Sequence, residues 1–283
     1  MDQFLAWWES NPITHLFFSF EAMGRALPVI AKAFPASVMF GLVAFLLAIP
    51  GGLTLAFLKM SKVAPLRWLA TFYVDVVRGT PLFLQILLVY FGIPILPYYK
   101  EIVDALNLKE IGLMGIDMSI ILRGLFVLSF NSSAYMAEIF RAGIQSIPRG
   151  QTEAARSLGM SAPQTMAFVI LPQTVRRILP TMMSEFILLF KDTALLAAVS
   201  VAEMTLRAKQ ITATTFNQSP YIVAAMFYLA VTIPLGRFVA RLENRLAVQD
   251  SGVGGKRPPT VAGVDSEHIV AHSERVIGEA GGR

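Results

Sequence analysis

The chain has 283 residues, of which 55% are hydrophobic and only 15% are charged, and its mean hydropathy is +0.59. A soluble domain carries about 25% charged residues, so this composition excludes an ordinary soluble protein and indicates a lipid environment. With no cysteine, a disulfide framework and a thiolate metal site are also excluded, and the net charge of +5 is typical of loop cations that orient membrane spans rather than of nucleic-acid binding.

The N-terminal region, residues 1–35, does not have the composition of a span. Its apolar stretch from Leu16 to Pro35 contains Glu21, Arg25 and Lys32, which is typical of an interfacial segment. The next 23 residues, from Ala36 to Leu58, carry no charge and would extend about 35 Å as a helix, enough to cross a bilayer. We therefore predict that the first span begins at Ala36.

Four further segments continue in chain order. They are Thr80 to Tyr99, Met118 to Arg141, the weaker Ile178 to Ala202, and Tyr221 to Gly236. The sequence thus predicts an all-α membrane protein of about five transmembrane helices, with its membrane domain at residues 36–245. The Pro-Gly breaks within these segments, such as Gly79 with Pro81, are expected to be tolerated kinks, with hinges as the alternative.

The charges of the connecting segments predict the orientation. The segment after the first span carries +3 and that from Arg141 to Pro180 carries +4, whereas Tyr99 to Asp117 carries −2 and Glu203 to Gln218 only +1. Positive loops remain inside, so we expect the N-terminus outside and the C-terminus inside.

The end of the chain, residues 246–283, is rich in glycine, proline and charge of both signs, and is predicted to be a disordered cytoplasmic tail. It contains His268 and His272, which have no third ligand nearby in the sequence, so we predict no metal site. The sequence shows no pattern of a nucleophile with a nearby base, so no catalytic site is predicted. The chain shows no strong internal repeat, which disfavours a secondary transporter built from inverted repeats.

The longest inner loop, at about residues 143–180, contains a compact helical pattern. Residues Thr152 to Leu158 favour a short helix, and Gly159 is placed to end it. Ser161 and Pro163 then favour the start of a second helix, and Pro172 and Pro180 are expected to bound the segment after it. The predicted hairpin presents Ala154 and Ala155 as a small-residue surface that a partner could approach closely.

This loop resembles the signature of binding-protein-dependent ABC importer permeases, in which Glu-Ala-Ala is followed by three residues, Gly, nine residues and Ile-x-Leu-Pro. Here Glu153-Ala154-Ala155, Gly159 and Val169-Ile170-Leu171-Pro172 match the spacing, with Val169 in place of Ile. Three other stretches are similar to the polar amino-acid (histidine/glutamate/glutamine-type) subfamily. They are Val77-Arg78-Gly79-Thr80-Pro81-Leu82 with Gln85, Asn131 to Gly143, and Lys191-Asp192-Thr193-Ala194-Leu195.

The resemblance, which covers about residues 36–245, implies the fold of a type I ABC importer permease. It implies a permease subunit, not an enzyme, that moves a polar amino acid across the cytoplasmic membrane. It also implies separate ATPase subunits that bind ATP, a second permease subunit that is identical or homologous, and an extracytoplasmic substrate-binding protein. The residues expected to form the coupling loop are Gly150, Gln151, Glu153, Ala154, Ala155, Gly159, Leu171 and Pro172. Independently, the chain has no Gly-x-x-x-x-Gly-Lys-Ser/Thr phosphate loop, so it has no ATP site of that kind and no cofactor of its own is predicted.

Polar residues within the apolar segments form a second set of candidates. Charges at membrane depth are expensive and usually face a cavity or a partner. Two interpretations remain open: these side chains line a substrate path, or they join helices through hydrogen bonds and ion pairs. The candidates are Thr80, Gln85, Asn131, Ser132, Ser133, Glu138, Glu185, Lys191 and Asp192.

Two rival functions also remain open. A membrane-embedded enzyme acting on lipid would need a paired acid and base or a metal cluster, and only the Lys191–Asp192 region offers candidates. A passive channel or secondary transporter would move its substrate without nucleotide.

Overall fold

The computed structural model describes residues 7–8 and 11–251. The chain divides into a compact unit, Met1–Arg241, and a second unit, Leu242–Arg283, of which the described part is helical. The packed core and the candidate sites belong to the first unit.

Helices make up nearly all of the described chain. In chain order they are α1 (Pro12–Phe18), α2 (Phe20–Lys59), α3 (Ala64–Gly79), α4 (Leu82–Leu87), a π-helical turn (Leu88–Gly92), a 3₁₀ turn (Ile93–Ile95), α5 (Tyr99–Ala105), α6 (Met118–Gln145), α7 (Arg149–Ser157), α8 (Ala162–Thr165), a second π-helical turn (Met166–Ile170), α9 (Leu171–Asp192), a 3₁₀ segment (Thr193–Val199), α10 (Met204–Thr215) and α11 (Ser219–Ser251). A small antiparallel hairpin, β1 (Gly112–Leu113) and β2 (Ile116–Asp117), precedes α6, with Gly112 opposite Asp117.

The first long helix, α2, begins at Phe20 rather than at Ala36. Ser19 caps its N-terminus by accepting from the amide of Ala22, and the helix continues through Pro28, Pro35 and Pro50 to Lys59. The predicted start of the first span at Ala36 therefore does not coincide with the start of a helix. The three charges that suggested a break can be placed on a helix without ending it, because only backbone hydrogen bonding defines the element.

Within the described residues, three stretches are long and apolar enough to cross a membrane: Pro12–Lys59, Met118–Gln145 and Ser219–Leu246. A fourth results if Ala64–Gly79 and Leu82–Ile95, which meet at an angle of 104°, are counted as one broken span. The predicted span from Thr80 to Tyr99 is thus only the second half of this pair. The first half, α3, was not predicted as part of a span, because the nearby cations Lys62 and Arg67 indicate a loop.

The fourth predicted segment also differs in its bounds. Helix α9 runs from Leu171 straight through Pro180 to Asp192, and the 3₁₀ segment carries the chain on to Val199. Pro180 therefore does not end a helix as predicted. It lies nine residues into α9, where a missing amide bends a helix without necessarily breaking it.

The core lies where α6 packs along α2, with α9 against both. Its central side chains include Phe40, Ala44, Leu128 and Met136, all fully buried. Helices α2 and α6 approach each other closely at Gly52, where an added Cβ would lie 2.3 Å from the Cβ of Met136. Contact at this distance leaves room only for glycine, as is common between membrane helices.

The last helix, α11, extends to Ser251, six residues beyond the predicted end of the membrane domain at residue 245. The rest of the predicted tail, including His268 and His272, lies outside the described residues.

A candidate transport path and coupling loop

Four of the predicted path residues meet where the broken span, α6 and α9 come together. The amide of Asn131 on α6 donates to the side-chain oxygen of Gln85 on α4 at 3.0 Å, and the hydroxyl of Ser132 donates to the carboxylate of Glu185 on α9 at 2.9 Å. Asn131 and Ser132 are buried, whereas Gln85 and Glu185 are half-buried. The structure therefore joins three separate segments through polar contacts.

Gln85 also has a local role at the break between α3 and α4. Its side-chain amide donates to the carbonyl of Val77 at 2.9 Å and to the hydroxyl of Thr80 at 2.8 Å. Val77 lies four residues before Pro81, which has no amide to offer that carbonyl. Gln85 thus satisfies a carbonyl that the proline leaves open. The 104° bend is a break held in place by side chains, not the tolerated kink predicted from Gly79 and Pro81.

Ser133 belongs to a separate contact between α6 and α3. Its hydroxyl lies 2.9 Å from that of Tyr73, and both donate to the carbonyl of Phe130. Ser133 is buried. This arrangement favours the helix-joining interpretation for Ser133 over direct contact with substrate.

Charged groups surround Glu185 without forming an ion pair with it in the described residues. Asp192 lies seven residues further along α9, on the same helix face, and the charges of Asp192 and Arg78 both act on Glu185. Lys191 is exposed, and the guanidinium of Arg78 lies 5.3 Å from the ring centre of Tyr135. Two carboxyl groups are thus presented together on one side of α9.

Glu138 is placed with a different set of residues. Its carboxylate accepts from Lys59 at the end of α2 at 2.5 Å and from Arg141 on its own helix at 2.6 Å. Lys59 and Glu138 are only 12% and 18% exposed. The contacts match the structural ion-pair alternative: Glu138 joins the adjacent ends of α2 and α6, and the structure does not bring it to Glu185.

The predicted coupling loop forms the expected pair of helical segments, with shifted bounds. The first, α7, begins at Arg149 and ends at Ser157, and Gly159 follows with φ of +83°, a conformation that favours glycine. Ser161 then caps α8 by accepting from the amide of Gln164, whose side chain accepts from the amide of Ser161 in return.

The exposure of this loop corrects one prediction. Gly150, Gln151, Glu153 and Ala154 are exposed, but Ala155 is buried against the rest of the loop. Only Ala154 of the predicted small-residue surface therefore faces outward. A short helix resting on its own loop must bury one side, and the sequence does not say which alanine lies there.

The base of the loop is tied to α9. Arg177 donates to the carbonyl of Ser146 at 2.6 Å, and the side chains of Gln173 and Gln151 lie 3.3 Å apart. The signature residues Leu171 and Pro172 open α9 directly after the second π-helical turn, so the loop and the membrane helix are continuous.

Sequence reasoning missed Glu203, which the charge pattern presents only as a loop charge. It is 0% exposed and caps α10 by accepting from the amide of Leu206 at 2.7 Å. It also accepts from Tyr228 on α11 at 3.1 Å and from Ser37 on α2 at 3.4 Å. Burial raises the pKa of the Glu203 carboxyl above its usual value, while the hydrogen bonds from Leu206 and Tyr228 act in the opposite direction. The one signal in the sequence was its place immediately before a helical stretch.

Comparison with known proteins identifies the family of this chain. The family described as "Binding-protein-dependent transport system inner membrane component" matches residues 48–248. The arginine transport system permease protein ArtQ of Bacillus subtilis is 32% identical over 82% of this chain and 98% of its own length. The probable glutamine ABC transporter permease protein GlnM of the same organism is 35% identical over 69% of this chain and 82% of its own length.

Solved structures of ABC transporters are also similar to this chain. A crystal structure of an amino acid ABC transporter with histidines has a TM-score of 0.66 at 33% identity, covering 80% of this chain and 98% of that one. The inward-facing MetNI methionine ABC transporter has a TM-score of 0.58 at 17% identity, which shows the shared fold alone. These matches confirm the family and the type I permease fold expected from the motifs. The chain therefore belongs to the binding-protein-dependent transport system inner membrane components, the multi-pass permease subunits of ABC importers.

Proposed function

We propose that this permease moves a polar amino acid inward across the cytoplasmic membrane, driven by ATP that separate ATPase subunits bind and hydrolyse. The relatives ArtQ and GlnM are named as permeases for arginine and glutamine, which supports this substrate class. An extracytoplasmic binding protein delivers the substrate, and a second permease subunit completes the path.

The observation that carries the proposal is the loop from Arg149 to Pro172. It presents Glu153 and Ala154 on an exposed helix, and its base is bound to α9, which carries Glu185 and Asp192. A force applied to α7 is therefore transmitted to a helix that bears the candidate path residues. ATP drives transport only if the ATPase pair favours one arrangement of these helices over another.

In this proposal Glu185 and Asp192 face the path, with Thr80 and Gln85 beside them. Both carboxyl groups can attract the ammonium group that every amino acid carries. Asn131, Ser132 and Ser133 hold the helices that form the walls. Lys191 is exposed on the same helix and is assigned no substrate contact.

The coupling step is tested with purified permease, ATPase and binding protein in liposomes, with labelled arginine and glutamine as substrates. Ala154→Trp should abolish ATP-dependent uptake and weaken ATPase association, because the bulky side chain blocks the exposed side of α7. Ala105→Trp is the matched control, since Ala105 is also exposed on a short helix between spans, and it should leave uptake unchanged. Uptake that needs no ATP, or that persists in Ala154→Trp, would contradict the proposal.

The orientation is tested separately, and the lack of native cysteine makes the labelling specific. We place the N-terminus outside, the coupling loop inside and the C-terminus inside. Ser157→Cys should therefore react with an impermeant maleimide only after cells are opened, whereas Leu113→Cys in the hairpin should react in intact cells. The reverse pattern would overturn the assignment.

A further inference from the structure

The last turn of α9 is contacted by two other helices, α2 and α11. Phe190 in this turn is 1% exposed, and an added Cβ on Gly41 of α2 would lie 3.3 Å from its Cα. The ring centre of Tyr228 on α11 lies 5.3 Å from that of Phe190. The hydroxyl of Tyr228 also lies 3.5 Å from that of Thr193, the first residue after the helix. Tyr228 therefore contacts residues on both sides of Asp192.

Tyr228 is itself held by the buried carboxylate of Glu203. The Tyr228 hydroxyl donates to Glu203 at 3.1 Å, and the hydroxyl of Ser37 and the amide of Leu206 donate to the same carboxylate. Glu203 is 0% exposed, and it forms no ion pair within the part of the chain that the structure describes. A carboxylate buried in this way is costly unless hydrogen bonds satisfy its oxygens. Glu203 thus gathers donors from α2, α10 and α11, and Tyr228 is one of them.

Asp192 lies on the side of α9 opposite to this anchor. At about 100° per residue, it is about 200° from Phe190 around the helix axis, and Glu185 shares its side. Asp192 is half-buried, whereas Phe190 and Thr193 are buried. Among residues 7–8 and 11–251, no side chain donates a hydrogen bond to Asp192. The position of its carboxylate therefore depends on how firmly the last turn of α9 is held.

We propose that Tyr228 is a positioning residue for Asp192, and that Glu203 holds Tyr228 in the orientation that this role requires. The inference rests on the proposed function, in which Asp192 attracts the ammonium group of the substrate. Misplacing such a contact by about 1 Å weakens it strongly, so a carboxylate with no donor of its own needs a fixed helix turn. Tyr228 acts through Phe190 and Thr193 and makes no contact with the substrate itself.

The test is a double-mutant cycle in the reconstituted transporter of permease, ATPase and binding protein. The measured quantity is the labelled arginine or glutamine moved per ATP hydrolysed, at saturating substrate and binding protein. Tyr228→Phe keeps the ring but removes the hydroxyl, and it should lower this ratio about three- to tenfold, a part of what one hydrogen bond to a charged group contributes. Asp192→Asn should also lower the ratio. Adding Tyr228→Phe to Asp192→Asn should lower it no further, because the group that Tyr228 positions is already gone.

The outcomes of the cycle separate this inference from the proposed function. Equal factors for Tyr228→Phe in the wild-type and Asp192→Asn backgrounds would overturn the positioning role alone. An unchanged ratio in Asp192→Asn would remove Asp192 from the path, and the positioning role would fall with it. Where Asp192→Asn abolishes uptake, Asp192→Glu takes its place in the cycle, since it keeps the charge on a longer side chain. Uptake that needs no ATP rejects the transport mechanism itself.

Tyr90→Phe is the matched control for a loss of stability. Tyr90 is buried, and its hydroxyl donates to the carbonyl of Ile120 at 2.9 Å, which joins the first π-helical turn to α6. Tyr90→Phe and Tyr228→Phe should lower the unfolding midpoint in detergent to a similar extent, but only Tyr228→Phe should lower the substrate moved per ATP. Equal losses of transport would show that reduced stability alone explains the effect, against the proposal.

The part played by Glu203 is tested with Glu203→Gln. This substitution keeps an oxygen for the amide of Leu206 and places an NH₂ group where the Tyr228 hydroxyl donates. The ratio should fall as it does in Tyr228→Phe, and the two substitutions together should lower it no further. Wild-type transport by Glu203→Gln, or a further loss in the double variant, would exclude Glu203 from this role.

Discussion

The guanidinium of Arg123 donates to the main-chain carbonyl of Tyr90 at 3.1 Å, and Tyr90 lies four residues before Pro94. Pro94 cannot donate to that carbonyl, and the helix widens there into a π-helical turn. The guanidinium also lies 4.9 Å from the Tyr90 ring centre and 5.7 Å from that of Tyr99. Arg123 is thus a cation within a span that donates to a carbonyl which a proline leaves open. Gln85 does the same for the carbonyl of Val77, four residues before Pro81.

We expect Arg123→Met to destabilise the protein by about 1–3 kcal/mol, because the Tyr90 carbonyl is left without a donor. In a Pro94→Ala background the amide at position 94 is restored, so the same substitution should cost less. Thermal unfolding midpoints of the four proteins in detergent measure the difference. Equal losses in both backgrounds would show that Arg123 stabilises the fold in another way.

The ion pairs of Glu138 with Lys59 and Arg141 predict that substitutions of Glu138 and of Lys59 lower the stability by different amounts. Glu138→Gln leaves two cations without their partner, whereas Lys59→Met leaves Glu138 still paired with Arg141. We therefore expect Glu138→Gln to lower stability by about 2–4 kcal/mol and Lys59→Met by less, since a half-buried charge that loses its partner is costly.

Unfolding midpoints and ATP-dependent uptake should both follow this order. The control is Arg25→Gln, which breaks the exposed pair with Glu21 and should change stability by no more than about 0.5 kcal/mol. A larger effect of Lys59→Met than of Glu138→Gln would contradict the assigned pairing.

Gly52 allows α2 and α6 to approach, so Gly52→Ala should push the helices apart at Met136. We expect a loss of about 1–3 kcal/mol, as is usual when a methyl group is forced into a packed core. Gly24→Ala on the same helix is the control, because an added Cβ there would meet nothing within 4 Å. It should be neutral or stabilising by up to about 1 kcal/mol through better helix propensity. Similar unfolding midpoints for both variants would count against a close approach at Gly52.

The Glu203 network joins α2, α10 and α11, and it predicts a difference between two substitutions. Glu203→Gln retains an oxygen that can accept from Leu206 and should cost little, whereas Glu203→Leu removes the cap and leaves the Tyr228 hydroxyl without its acceptor. We expect the latter to cost about 2–4 kcal/mol, measured by unfolding. Equal stability of the two variants would rule out this role for the carboxylate oxygens.

Local signals in the sequence were sufficient where the structure depends on neighbours along the chain. Gly159 ends α7 and Ser161 starts α8 as predicted, because a positive φ and a capping box are decided within a few residues. The apolar stretches of α6 and α11 were found for the same reason, since their length and hydropathy are visible directly. Predicted boundaries were wrong where charge suggested a break that the backbone does not make, as at the start of α2.

The sequence by itself determined that this chain is a membrane permease, because lipid imposes a composition and the coupling loop a spacing that can be read residue by residue. Only the tertiary structure decided what each polar group does: it placed Glu138 with Lys59, buried Ala155 and Glu203, and set Gln85 and Arg123 against carbonyls that prolines leave open. The physical reason is that a polar group in a dry interior is costly without a partner, and the partners of Glu138, Glu203 and Arg123 lie on other helices, at distances along the chain that no local pattern records.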